Sequence, residues 1–229
     1  MSGGHDKGRV DSGPGAAIYS ARALRAYDLV VHGISNTFAW KCPTPELLDL
    51  YNRNVSARHM DIGVGSGYFL DRCRFPVPDP RIALVDLNED ALRFASDRIR
   101  RYRPSTHVAD VLSPLAIEEP EPFRSVGLMY LLHCLPGDMS TKAAVIRNVR
   151  PLVAEDGVVF GATILARAAS ENVLARALMR FYNARGIFGN AGDTVEGLER
   201  ALTESFARVS IVERGSVALF TAREPRPAP

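Results

Sequence analysis

Apolar positions along the chain follow two spacings in turn, and the changes between them mark out its elements. From Tyr19 the pattern is helical, with Leu24, Tyr27, Val31 and Ile34 on one face and Gly33 near the stop. A loop, NTFAWKCP, comes next. Thr44 as N-cap, with Pro45 at the first helical position, then predicts a second helix carrying Leu47, Leu48 and Tyr51. At Arg58 the pattern changes to a short apolar run ending in Asp61, three alternating glycines at 63, 65 and 67, and a helically spaced segment, which predicts strand, tight turn and helix. The unbroken run RIALVDL, ending in Asp86, fits a parallel strand buried on both faces.

A helix from Glu89 buries Leu92, Ala95, Ile99 and Tyr102 and closes on four arginines, a charge order that suits its dipole and reads as a solvated helix end. THVADV is a short third strand ending at Asp110, and SVGLMYLLHCL a fourth. Ser140 is the expected cap of the next helix, after which EDG turns the chain into a fifth strand, GVVFGATIL. Residues 168–190 read as a helical insertion carrying Leu174, Leu178, Phe181 and Tyr182 and ending in the loop GIFGN. One more helix precedes RVSIVERGSVALFTAR, two strands about an Arg-Gly turn.

Composition narrows the classes. A chain of 229 residues with 46% apolar and 24% charged residues suits one globular domain with a substantial core. The net charge of +2 is too small to argue for a nucleic-acid or membrane partner. No apolar run approaches a membrane span and MSGGHDKGRV has no hydrophobic signal region, so a cytoplasmic location is expected. Cys42, Cys73 and Cys134 are far apart and form no C-x-x-C pair, which fits small buried residues better than a zinc site or a disulfide framework. Residues 1–16 and 224–229 are expected to be disordered, residues 17–57 to form a helical lid, and 58–223 to form the core.

The glycine turn carries the chemistry. A turn from a strand into a helix N-terminus uses backbone angles open mainly to glycine, and a ligand can touch backbone that lacks Cβ atoms. A dinucleotide fingerprint would place its third glycine at position 68, where this chain has Tyr68, and its pyrophosphate would need unpaired N–H groups rather than a carboxylate. Asp61 suits a cationic ligand end, such as the ammonium of an amino acid. S-adenosylmethionine has that group, a sulfonium and no phosphate. The stretch RHMDIGVGSGYFL resembles motif I of the class I S-adenosylmethionine-dependent methyltransferases, (D/E)-x-G-x-G-x-G, matched in full.

That resemblance, over roughly residues 58–223, implies an α/β fold with a Rossmann-like, mostly parallel seven-stranded sheet in the order 3-2-1-4-5-7-6 and helices on both faces. The C-terminal hairpin is what that order requires, and the N-terminal helices are an extension to it. It implies cofactor contacts from Asp61, Gly63, Gly65 and Gly67, from Asp86 to the ribose hydroxyls with Leu87 beside it, from Asp110 to the adenine amino group with the Val111 N–H at a ring nitrogen, and from Leu131 beside the methionine part. The (D/N)-P-P-(Y/F/W) segment of base and glutamine methylation is absent, LHCLP standing in its place.

Methyl transfer is an in-line displacement, so alignment and water exclusion are the main demands, and a base is needed only if the acceptor must lose a proton. His133, at the exit of the fourth strand, is the catalytic-base candidate. Tyr27, His32, Trp40 and Tyr182 are candidate acceptor contacts, and no metal triad stands out. The function implied is methylation of a small molecule, a secondary metabolite among the options, with O-methylation ahead of N- or C-methylation. A non-catalytic cofactor-binding scaffold and a nicotinamide oxidoreductase are the alternatives. The expected partner is the small-molecule substrate, with neither nucleic acid nor membrane, and with a homodimer left open.

Overall fold

The computed structural model describes residues 36–166 and 173–227. The first expected helix, with Tyr27 and His32, the expected disorder of residues 1–16, and the start of the insertion lie outside the described residues.

Chain order runs through α1 (Thr44–Asn54), β1 (Arg58–Ile62), α2 (Tyr68–Arg72), β2 (Arg81–Asp86), α3 (Glu89–Arg98), β3 (Ser105–Val108), β4 (Phe123–Met129), α4 (Met139–Val149), β5 (Val153–Ile164), α5 (Val173–Ala184), α6 (Val195–Thr203), β6 (Phe206–Arg214) and β7 (Val217–Pro225). The strands form one sheet in the order β3-β2-β1-β4-β5-β7-β6. Strands β1 to β5 pair in parallel, and β7 enters antiparallel between β5 and β6, as the terminal hairpin predicts.

Period-two alternation divides the core between the two faces of the sheet. On β5, Val158, Phe160, Ala162 and Ile164 join α1, α2, α3 and α5 through residues such as Leu47, Phe69, Leu92 and Met179. Val159 points the other way, and with Met60, Ile62, Val126 and Leu128 packs on α4 and α6. Strands hydrophobic on both sides therefore have helices on both sides.

Several local expectations are corrected. Thr44 is the first helical residue of α1, after Pro43, and its hydroxyl accepts from Asn36 Nδ2 (3.0 Å). Asp138 caps α4: its carboxylate takes the N–H groups of Ser140 and Thr141, a better acceptor two residues earlier than the expected Ser140. EDG lies within β5, which passes through it with a shift of register against β4. Two of the four arginines of the expected solvated helix end reach across to the turn and the helix after it: Arg98 donates to Ser66 O (3.0 Å) in the glycine turn and Arg101 to Asp71 (2.7 Å) in α2. The expected disorder of residues 224–229 gives way at its start, since β7 continues to Pro225 and Arg226 N–H donates to Ser205 O (2.8 Å). All three cysteines are free, and burial pushes each thiol up to about 12.

Candidate active site

β1 delivers Asp61 to the C-terminal edge of the sheet, where the chain leaves through the glycine turn. Gly63 N–H extends the ladder to Val85 O (2.8 Å), and Gly67 N–H closes the turn on Val64 O (2.9 Å). The glycines serve different needs. Gly63 has φ +72, and a Cβ there would lie 2.7 Å from Leu131 Cδ1, so its bareness lets the exit of β4 close against the turn. Gly65, at φ +51, has open space where a Cβ would stand, and so its backbone faces a possible ligand. Asp61, Gly63, Val64, Ser66, Tyr68 and Tyr130 are among the residues lining the adjoining cleft.

Asp86 ends β2 beside this turn. It accepts the Asn88 N–H at 2.9 Å, while Asn88 in turn caps α3. Burial raises the Asp86 pKa, opposed by hydrogen bonding from the Asn88, Gly65 and Leu87 backbone. The second acid is thus tied to the same glycine loop as the first. Leu87 has an exposed side chain.

Asp110 lies two residues beyond the end of β3 and takes the Leu112 N–H (3.0 Å) in a local turn. Val111 is buried, and its carbonyl accepts from Asn148 Nδ2 (2.9 Å). At the exit of β4 the chain turns sharply at Tyr130, whose φ of +60 is unusual for an aromatic residue. The Tyr130 hydroxyl donates to Asn36 Oδ1 (3.0 Å).

His133, the candidate base, is enclosed by its neighbours at the exit of β4. It is 2% exposed, with its ring between Tyr130 (5.4 Å) and Phe188 (4.6 Å). Its Nδ1 accepts the Ile164 N–H at 3.3 Å, so the lone pair a base would use is engaged, and the neutral ring carries its hydrogen on Nε2. Burial, reinforced by the Lys142 charge, holds its pKa down to about 3. Trp40, a candidate acceptor contact, is 2% exposed, stands 6.1 Å from the Phe188 ring and belongs to the core cluster on that face of the sheet. Tyr182 is half-buried and also packs on Phe188, at 4.8 Å.

Phe188 is held by its neighbours. Gly189 N–H donates to His133 O (2.9 Å), Asn190 Nδ2 to Ile164 O (2.8 Å), and Lys142 of α4 to both Gly189 O (2.9 Å) and Asp193 Oδ2 (2.6 Å). Lys142 and Asp193 are both fully buried; burial lowers the lysine pKa and raises the aspartate pKa, and each is opposed by the other's charge. Among the described residues, no group of three or more His, Cys, Asp or Glu side chains converges as a metal site.

Sequence reasoning missed the groups beneath Asp61. Tyr51 donates to Asp61 Oδ2 (2.7 Å), and its oxygen also meets His59 Nε2 (2.7 Å). Tyr51 was legible as one apolar position of α1. His59 and Ser125 lie inside strands, where no short motif marks them.

Comparison with known proteins bears on this site. A family model described as a methyltransferase domain matches residues 60–159. The demethylluteothin O-methyltransferase of Streptomyces thioluteus is 39% identical over 208 residues, covering 91% of this chain and 90% of that protein. A physcion biosynthesis cluster O-methyltransferase of Aspergillus chevalieri is 39% identical over 213 residues, covering 93% and 96%. Among solved structures, DhpI in complex with SAH superposes with a TM-score of 0.64 at 16% identity, covering 95% of this chain and 98% of that one. The N-methyltransferase NodS of Bradyrhizobium japonicum with S-adenosylhomocysteine gives 0.59 at 17%, covering 90% and 98%. At such identities these two structures speak to the fold.

Proposed function

This chain belongs to the S-adenosylmethionine-dependent methyltransferases, and from that premise we propose that it transfers a methyl group to an acidic hydroxyl, a phenol or an enol, on a small secondary metabolite. The observation that carries the reading is the meeting of Asp61, the open backbone of Gly65 and Asp86 at one edge of the sheet. These groups fit the cofactor: a carboxylate for its ammonium end, bare backbone for close approach, and a second carboxylate for its ribose hydroxyls. Asp110 and the Val111 N–H remain the candidates for the adenine. When bound, S-adenosylmethionine supplies an electrophilic methyl group together with its leaving group.

The chain's own residues then have to align the acceptor and keep water out. Phe188 and Tyr182, braced from behind by Trp40 and pinned through Gly189, form an apolar wall suited to a flat acceptor. With its Nδ1 lone pair engaged, His133 supports that wall, and the acceptor enters as its anion, having given its proton to bulk water before it binds. A simple phenol, with a pKa of about 10, does so to a small extent near neutral pH, an acidified phenol or an enol does so more fully, and an aliphatic alcohol does not. Relatives named as O-methyltransferases support oxygen as the acceptor atom. We place the reaction in the cytoplasm and assign no role to nucleic acid or membrane, with the chain acting alone or as a homodimer. The small net charge gives no pull toward nucleic acid or an anionic membrane, and among the described residues no helix is long and apolar enough to cross a membrane.

Incubation with methyl-labelled S-adenosylmethionine and a panel of phenols, enols, aliphatic alcohols and amines tests the reading. Label should enter methyl ethers of phenols or enols, with a pH profile that follows the ionisation of the acceptor. Transfer to amines alone, or to aliphatic alcohols as readily as to phenols, would overturn it.

A further inference from the structure

Asp61 stands on a buried polar chain that the sequence does not announce. Tyr51 of α1 gives its phenolic hydrogen to Asp61 Oδ2 (2.7 Å), and its oxygen lies 2.7 Å from His59 Nε2. A phenol has one hydrogen, so Nε2 must supply the second. His59 Nδ1 lies 2.9 Å from Ser125 Oγ on β4. Ser125 Oγ accepts the Ser56 N–H (3.0 Å) and lies 2.8 Å from Ser56 Oγ, which donates to Arg58 O (2.7 Å). Tyr51 and His59 are wholly buried, and the Tyr51 ring is fixed by stacking on Phe69 (5.8 Å) and edge contact with Phe160 (5.1 Å).

A chain of this kind is not needed for stability alone, because well-packed apolar residues of similar volume commonly serve a core as well as or better than buried polar groups. What it does provide is a single orientation. Oδ2 is engaged from below by a donor that is itself oriented, so the carboxylate does not have to be ordered when a ligand arrives.

We propose that Tyr51 and His59 are positioning residues that preset the Asp61 carboxylate for the ammonium end of S-adenosylmethionine. This deepens the cofactor reading above and rests on it. The two act on one end of the ligand, so their loss should be felt by ligands that carry the ammonium and not by those that lack it.

The full wild-type chain and its Tyr51→Phe, His59→Gln and His59→Asn variants are titrated calorimetrically with S-adenosylhomocysteine and with 5′-methylthioadenosine, which has no amino-acid end. Tyr51→Phe keeps the ring packing and should weaken S-adenosylhomocysteine about tenfold, the scale of one hydrogen bond to a charged group. It should leave 5′-methylthioadenosine within about twofold, a smaller change than any one neutral hydrogen bond would bring. His59→Gln, whose amide reaches the place of Nε2, should bind both ligands like the wild type. His59→Asn, which reaches only the place of Nδ1, should behave like Tyr51→Phe. Equal weakening of both ligands, in step with a fall in Tm, would reduce the chain to a structural role and overturn the inference. So would unchanged S-adenosylhomocysteine binding in Tyr51→Phe. Absence of binding by the wild type would instead remove the cofactor reading, and this inference with it.

Discussion

Asp61 and Gly127 are partners across β1 and β4, and the glycine makes room for the acid. A Cβ on Gly127 would stand 2.9 Å from Asp61 Oδ2 and 3.3 Å from His59 Cε1. Because Tyr51 already holds that oxygen, the carboxylate has little freedom to move aside. Gly127→Ala should therefore cost about 1–3 kcal/mol of stability, the usual range for overpacking a filled core. It should also weaken S-adenosylhomocysteine, measured by urea midpoint and by titration. The three glycines of the turn were legible because they alternate within five residues after an acid. Gly127 was not, since SVGLM reads as an ordinary apolar strand and its requirement is set by a neighbour 66 positions away in the chain, as the pairing of Asp61 with Gly127 shows. His133 is a related case: its place at the exit of β4 follows from the order of elements, whereas its availability as a base depends on the Ile164 N–H and on burial, which are facts of packing.

At the scale of elements, the segment after α5 is held by hydrogen bonds to His133 O and Ile164 O and by a buried ion pair. Lys142 joins α4 to Gly189 O and Asp193, and through that segment sets Phe188 against His133. Asp193 Oδ1 is buried without a partner, so the lysine is what compensates the charge. Lys142→Met should destabilise the chain by about 3–5 kcal/mol, because one buried charge is left uncompensated. The double variant Lys142→Met with Asp193→Leu should recover most of that loss in urea unfolding. Equal losses for the single and double variants would mean that the pair does not act as a unit. Helix and strand types were legible from spacing along most of the described chain, whereas the Asp138 cap and the course of β5 through EDG turned on local hydrogen bonds and on the pairing with β4.

For the molecule as a whole, the order of the sheet is the one implied by the resemblance that motif I carries, and unbroken apolar strands, a glycine turn after the first and two adjacent strands at the end are consistent with it. That resemblance, carried by local patterns, implies that Asp61 and Asp86 stand at the same edge before any contact is known. What joins α1, β1 and β4 beneath Asp61 is a set of side-chain contacts between segments remote in sequence, and periodicity carries no trace of it. The central claim is that this edge of the sheet binds S-adenosylmethionine through Asp61. The most direct measurement is calorimetric titration of the full chain and of its Asp61→Asn variant with S-adenosylhomocysteine. The account predicts one site of about micromolar affinity in the wild type, weakened at least tenfold in the variant as a charged hydrogen bond is lost. Equal affinity in the two proteins, or no binding to the wild type, would contradict it.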